Sequence, residues 1–165
     1  RAHPILADFV REVYWPAYAA GRDRLDNAEA RRFVTRGNQE GKTTTPWADS
    51  TIRRAAGYLT GCCADFGLLE PGKRTERRVL PYHLEPRVGA LLAYERHFAG
   101  LGDTRLLADS DWTLFGLTPT DVLAELRHLA RNGQLIVQAA GRVTQISWPL
   151  KTMDEVIDAV THGNL

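Results

Sequence analysis

The sequence predicts a mainly α-helical protein with two small β-hairpins, built as tandem winged-helix-turn-helix-like units over residues 1–84 and 85–165. Three observations lead there. Apolar residues recur at helical spacing through most long segments. In each half a capped helix runs up to a glycine and is followed by a short β-prone pair around a glycine turn. The order long helix, shorter helix, capped helix, hairpin occurs twice, although the halves are not similar in sequence, so the tandem organisation rests on topology alone.

Residues 4–20 place Ile5, Leu6, Phe9, Val10, Val13 and Tyr14 at helical spacing, opposite Asp8, Arg11 and Glu12. Pro16 is expected to kink or end this helix. Residues 21–26 read as a charged linker, with Asp26 capping a second helix from Asn27 to about Arg36 that buries Ala30, Phe33 and Val34. Gly37 is expected to stop it, leaving residues 38–46 as a polar, exposed loop. That loop carries the string Gly37-Asn38-Gln39-Glu40-Gly41-Lys42-Thr43, which looks like a Walker A loop. It is one residue short of the required spacing and follows a helix rather than a strand, so it reads as a plain loop.

The stretch from Asp49 to Leu84 organises the first half. Asp49 and Ser50 suit a helix N-terminus, Ile52, Ala55, Ala56, Leu59, Cys62 and Phe66 give the apolar stripe, and Gly67 gives the stop. Leu68 and Leu69, the Pro71-Gly72 turn and a return strand over Arg77 to Tyr82 then make a basic hairpin. Gly57 and Gly61 each cost about 1 kcal/mol against alanine in a helix interior, and close packing is one reason to keep them.

In the second half Pro86 opens a helix to about Gly100 whose inner face is expected to hold Val88, Leu91, Leu92 and Phe98. Asp103 caps a short turn, and Asp111 to Leu117 is too apolar to be exposed. Thr118-Pro119 starts a helix running to Gly133. Leu135 to Gln138 and Val143 to Trp148 pair around Ala140-Gly141, and Met153 to Val160 closes the chain as a short helix.

Composition narrows the function. With 165 residues and 44% hydrophobic content the chain folds rather than staying disordered. The net charge of +1 conceals a gradient. Residues 51–102 carry 8 basic against 5 acidic side chains and residues 103–165 carry 5 against 8, so a polyanion should favour the middle. Cys62 and Cys63 are adjacent in a helix, where a mutual disulfide is strained, which suits a reducing compartment. No signal peptide and no run of about 18 apolar residues is present.

The functional bet is Arg53 and Arg54 on the helix with Lys73, Arg74, Arg77 and Arg78 on the wing, a set suited to phosphates flanking a groove. A solvated surface partly neutralised by Glu70 and Glu76 is the competing reading. Thr51, Tyr58 and Thr60 lie on the same helix and suit phosphate or base edges, with Tyr58 equally suited to packing. Asp109, Asp111 and Asp121 read as caps rather than metal ligands, since no calcium-loop spacing accompanies them. The five histidines are scattered and no serine or cysteine has an evident local base, so no enzyme and no cofactor are expected. Trp15, Trp47, Trp112 and Trp148 read as packing anchors. The second unit, with Arg127, Arg131 and Arg142 against Asp121 and Glu125, suits protein contact before DNA.

Pro46-Trp47-Ala48-Asp49-Ser50-Thr51, Asp65-Phe66-Gly67-Leu68-Leu69, Asp111 to Leu117 and Ile146-Ser147-Trp148 together resemble the BrxA family of BREX (bacteriophage exclusion) defence islands. The resemblance covers most of the chain, and its motifs are packing and capping signatures. It implies a cytoplasmic, non-enzymatic, winged-helix-like protein that binds double-stranded DNA and supports phage restriction beside a methyltransferase and other BREX proteins. Family members usually carry a further helical segment ahead of the region matching Ile5 to Tyr14, so this chain resembles the larger C-terminal part. The membrane label that some members carry is not supported here. DNA-binding through Thr51, Arg53, Arg54, Lys73, Arg74, Arg77 and Arg78 is therefore expected. A scaffold within a BREX complex, with little intrinsic DNA binding, is the alternative, and RNA binding a minor third reading.

Overall fold

Residues 4–72, 75–131, 133, 135–140 and 143–162 are described by a computed structural model, in which the chain divides into two units, Arg1–Tyr82 and His83–Leu165. As predicted, the described residues are mainly helical, with two small antiparallel two-stranded sheets.

In the first unit, α1 (Pro4–Phe9) continues through a π-helical turn (Val10–Tyr14) into α2 (Trp15–Ala19). Pro16 therefore does not end the helix. The Trp15 amide reaches back five residues to the Val10 carbonyl, and this widened turn immediately ahead of Pro16 absorbs the proline that a regular α-helix would reject. Residues 21–26 are not simply a linker. Arg24–Asp26 forms β1, antiparallel to β2 (Glu76–Arg78), with Leu25 opposite Arg77. Leu25 is 1% exposed. One inward residue in a three-residue strand leaves no periodicity to read.

Asp26 caps α3 (Asn27–Gln39) through a reciprocal box. Its carboxylate accepts the Glu29 amide at 2.6 Å, while Glu29 accepts the Asp26 amide at 3.3 Å. The helix passes Gly37 and stops at Gly41, whose φ is 70°. The following loop is tied down by Asn38. Its amide oxygen accepts the Thr43 hydroxyl at 3.0 Å and the Trp47 amide at 2.8 Å, and its Nδ2 donates to the Trp47 carbonyl at 3.3 Å.

Helix α4 (Asp49–Asp65) is capped by Ala48 backbone rather than by Asp49 or Ser50. It ends as expected at Gly67, with φ of 72°, where the Leu68 and Leu69 amides both return to the Cys63 carbonyl at 2.8 and 3.2 Å. That stop swings the chain back, so Glu70 donates to the Arg78 carbonyl and Leu80 to the Leu68 carbonyl. On its other side the same segment is held by Val79 donating to Asp23 and Asn27 donating to Thr75. Residues 75–80 thus run between residues 23–27 and 68–70. Phe9, Tyr14, Leu25, Phe33, Leu59 and Leu69 fill the core beneath. Phe9 and Phe33 meet edge to face at 5.5 Å.

The second unit comprises α5 (Pro86–Phe98), α6 (Asp103–Leu107), a 3-10 helix (Ser110–Phe115), α7 (Pro119–Arg131), β3 (Ile136–Ala140), β4 (Val143–Ser147) and α8 (Met153–Thr161). The inner face of α5 differs from expectation. Gly89, Ala90, Ala93 and Tyr94 are buried, whereas Val88, Leu91 and Phe98 are 41%, 36% and 37% exposed. Small residues let this helix lie close to its neighbours, and the bulkier stripe turns outward. Trp112, 1% exposed, donates its indole N–H to the Leu106 carbonyl at 2.8 Å. Tyr94 packs edge-on against Trp148 at 4.9 Å, and His97 stacks on the same indole at 4.5 Å. The aspartates act largely as caps. Asp109 accepts the Asp111 amide, Asp121 accepts the Thr118 amide, and Asp103 accepts the Ile146 amide across the unit at 2.9 Å. The Ala140-Gly141 turn includes residues outside those described. Both units run helices into β structure, but they are not copies. The first pairs its return strand with β1 from before α3, while the second pairs β3 with β4 and ends on α8.

Candidate nucleic-acid interface

Helix α4 divides cleanly into two faces. Ile52, Ala56, Leu59, Thr60 and Cys63 are buried. At 3.6 residues per turn, Ser50, Arg54, Gly57, Tyr58 and Gly61 fall in an arc of about 100° on the opposite side. Arg54, Gly57 and Tyr58 are exposed, Tyr58 to 65%. A Cβ added at Gly57 or Gly61 would meet nothing within 4 Å, so neither glycine serves close packing among the described residues.

Cations stand on the flank of this face where α3 and the return strand meet it. On the α3 side, Asp49 accepts Arg31 Nη2 at 2.5 Å through one oxygen and lies 3.5 Å from Arg53 Nε through the other. Beside that junction an open concavity of about 620 Å³ is bounded by the start of α3, by Arg31 and Arg53, and by Thr75 and Glu76 at the root of the return strand. On the sheet itself, Arg24 and Arg78 stand opposite each other on the outer face of β1 and β2, and Arg24 Nη1 pairs with Glu76 Oε2 at 3.4 Å. Arg22 forks onto both oxygens of Glu29 at 2.5 and 2.8 Å, and this bond holds the Glu29 carboxyl below its usual range.

The sequence-predicted site residues are placed as follows. Thr51, Arg53 and Arg54 are exposed on α4, and Arg78 is exposed on β2. Arg53 shares its concavity with the start of the return strand, so helix and strand do meet there. Arg54 and Arg78 have no carboxylate partner among the described residues, in contrast to Arg53. Lys73 and Arg74 lie outside the described residues. Arg77 is not a wing cation. Its residue is only 9% exposed, facing inward beside Leu25, and its Nη1 donates to the Glu70 carbonyl at 3.0 Å. In a strand, sides alternate, so Arg78 outward requires Arg77 inward. Thr60 is also withdrawn. It is 1% exposed and its hydroxyl donates to Asn27 at 2.8 Å, fastening α4 to the start of α3.

Sequence reasoning missed the contribution of α3. Arg31, Arg32 and Arg36 are exposed on its outer side, Arg36 pairing with Glu12 at 2.7 Å and Arg32 lying near enough to Glu29 to favour its charged form. Their outward positions follow from burial of Ala30, Phe33 and Val34, so the signal was in the helical spacing. No group of three or more metal-ligating side chains occurs among the described residues. No helix among them is long and apolar enough to cross a membrane.

The assembled surface is an outward helix face lacking acidic groups between its two ends, with Arg31, Arg53 and the start of the return strand, Glu76 included, gathered on one flank. No curated protein and no solved structure matches the chain. A family model named BrxA matches residues 1–96, which spans the first unit and most of α5. With that match over more than half its length, the chain belongs to the BrxA family, whose role is in BREX phage defence.

Proposed function

We propose that the chain is a non-catalytic, cytoplasmic BREX protein that binds duplex DNA mainly through the phosphate backbone, using the first unit as a winged-helix-turn-helix-like module. The element order supports this: helix, β1, α3, α4, then a return through residues 68–70 and 75–80. The observation that carries it is the pair Arg54 and Arg78, exposed on α4 and on β2 without a carboxylate partner among the described residues. Guanidiniums left uncompensated at a surface favour a polyanion, and each phosphate they neutralise releases counterions. Thr51 and Arg53 add to the helix side of the contact, and Lys73 and Arg74, which lie outside the described residues, add two cations to it by sequence. Arg77 organises the wing root and makes no phosphate contact.

Fluorescence anisotropy of a labelled duplex titrated with the full chain at several salt concentrations tests the reading. Affinity falling steeply with salt, and falling further in Arg54→Ala and Arg78→Ala, is the expected result. Affinity without a salt slope, or no binding at low salt, rules it out.

A second reading rests on the other unit. Val88, Leu91 and Phe98 on α5 and, separately, Ile157 on α8, 49% exposed, leave apolar side chains in reach of a protein partner within a BREX assembly. Co-purification with BREX proteins that is lost in Leu91→Asp, in a chain that ignores duplex DNA, favours this scaffold role.

A further inference from the structure

We infer that the outer face of α4 reads base edges in a major groove, with Arg54 and Tyr58 as the two reading side chains. This rests on the duplex-binding proposal and goes beyond its backbone contacts. Three features of α4 converge on it. Its acidic residues are Asp49 and Asp65 at the two ends. Asp49 is engaged by Arg31 and Arg53, and Asp65, exposed on the same arc, lies about three turns beyond Arg54, so the face from Ser50 to Gly61 meets a polyanion without repulsion. Arg54 lies directly opposite the buried stripe and has no carboxylate partner among the described residues, leaving its planar fork free. Tyr58, one turn further on, is 65% exposed, a large aromatic surface for a helix to leave in water.

The glycines then acquire a purpose. Gly57 and Gly61 occupy the same arc, and the space where their Cβ atoms would lie is open. Only Arg54 and Tyr58 project from the centre of the face, so the helix backbone can settle deeply between two sugar-phosphate walls. A helix with side chains is about 10–12 Å across, which matches a major groove about 12 Å wide. Arg54 offers two parallel donors to O6 and N7 of guanine, and the ring of Tyr58 offers apolar contact to a thymine methyl one turn away.

Selection of the full chain on a duplex library with a randomised core, followed by anisotropy on the enriched duplex and on a shuffled duplex of equal composition, tests this. The expected core contains a guanine next to a thymine. Arg54→Lys keeps the charge but not the fork. It should lower affinity for the enriched duplex about ten- to a hundredfold, and so shrink the wild type's preference for the enriched over the shuffled duplex. Replacing the thymine by uracil should weaken the wild type and leave Tyr58→Ala unchanged. If the wild type binds both duplexes equally, or Arg54→Lys binds the enriched duplex as well as the wild type does, base reading is overturned while duplex binding stands. If the wild type binds neither duplex at low salt, the duplex-binding reading itself fails.

Discussion

Asp49 at the start of α4 accepts a 2.5 Å hydrogen bond from Arg31 in the middle of α3, and its second oxygen lies 3.5 Å from Arg53. One carboxylate therefore restrains two guanidiniums on the flank of the proposed interface. In Asp49→Asn both arginines keep their places but lose their counter-charge. Affinity for a duplex should rise several-fold at low salt, with a steeper salt dependence. Stability should change by less than about 1 kcal/mol, because the pair is largely exposed. Anisotropy across a salt series reads the first effect and urea unfolding the second. Unchanged or weaker binding would place the phosphate-contacting surface elsewhere.

Arg77 separates structural from binding arginines. Its neighbours Glu76 and Arg78 face out, whereas its own stem lies inward and its guanidinium bonds the Glu70 carbonyl. Arg77→Ala removes both packing and that bond, and a loss of about 2 kcal/mol in urea unfolding is expected. Duplex affinity at a temperature where the variant is folded should match the wild type, while Arg78→Ala shows the reverse pattern. A binding defect in folded Arg77→Ala equal to that of Arg78→Ala would return Arg77 to the contact surface.

The contrast between these two arginines shows what the sequence made legible. Strong local signals translated directly: the Asp26 cap, the Gly67 stop and the Thr118-Pro119 start all hold. Tertiary choices did not. Whether Arg77 or Arg78 points outward depends on the register with β1, and β1 itself is three charged-stretch residues recruited by a strand fifty positions away. On α5 the large apolar residues suggested an inner face, but close approach selected the small ones, as Gly89 shows, where an added Cβ would lie 3.4 Å from Leu84. For the interface, Arg53 and Arg54 were legible as outward positions on α4. The ion pair linking Asp49 to Arg31 spans a loop and could not be read from spacing.

Asn38 turns the loop after α3 into a fixed connection. Its side chain makes bonds to Thr43 and to both backbone groups of Trp47, the residue that leads into α4. Asn38→Ala should cost about 1–3 kcal/mol, since the Trp47 amide and carbonyl lose partners in a partly buried setting. It should also open the loop to limited proteolysis around Lys42, which is exposed. Digestion with trypsin, followed by mass spectrometry, detects the cut. Wild-type resistance retained in the variant would mean that the loop is held by other contacts.

Cys63 gives the first unit an alkaline limit. Burial pushes its thiol up to about 12 from a usual 9, with neighbouring Cys62 adding to the rise and Arg77 opposing it. Below pH 9 folded and unfolded chains both keep the proton, so this group leaves stability flat. Above that, the unfolded chain ionises while the folded chain stays neutral, and unfolding releases a proton. Stability then falls with rising pH by up to about 1.4 kcal/mol per unit until the folded thiol also ionises. Tyr14, raised chiefly by burial, adds a second loss once pH passes the ordinary tyrosine range. Urea midpoints measured from pH 7.5 to about 11 should therefore decline for the wild type between 9 and 10. Cys63→Ala should flatten that interval while leaving the steeper fall above it, and a wild-type decline that persists in the variant would assign the alkaline sensitivity to another group.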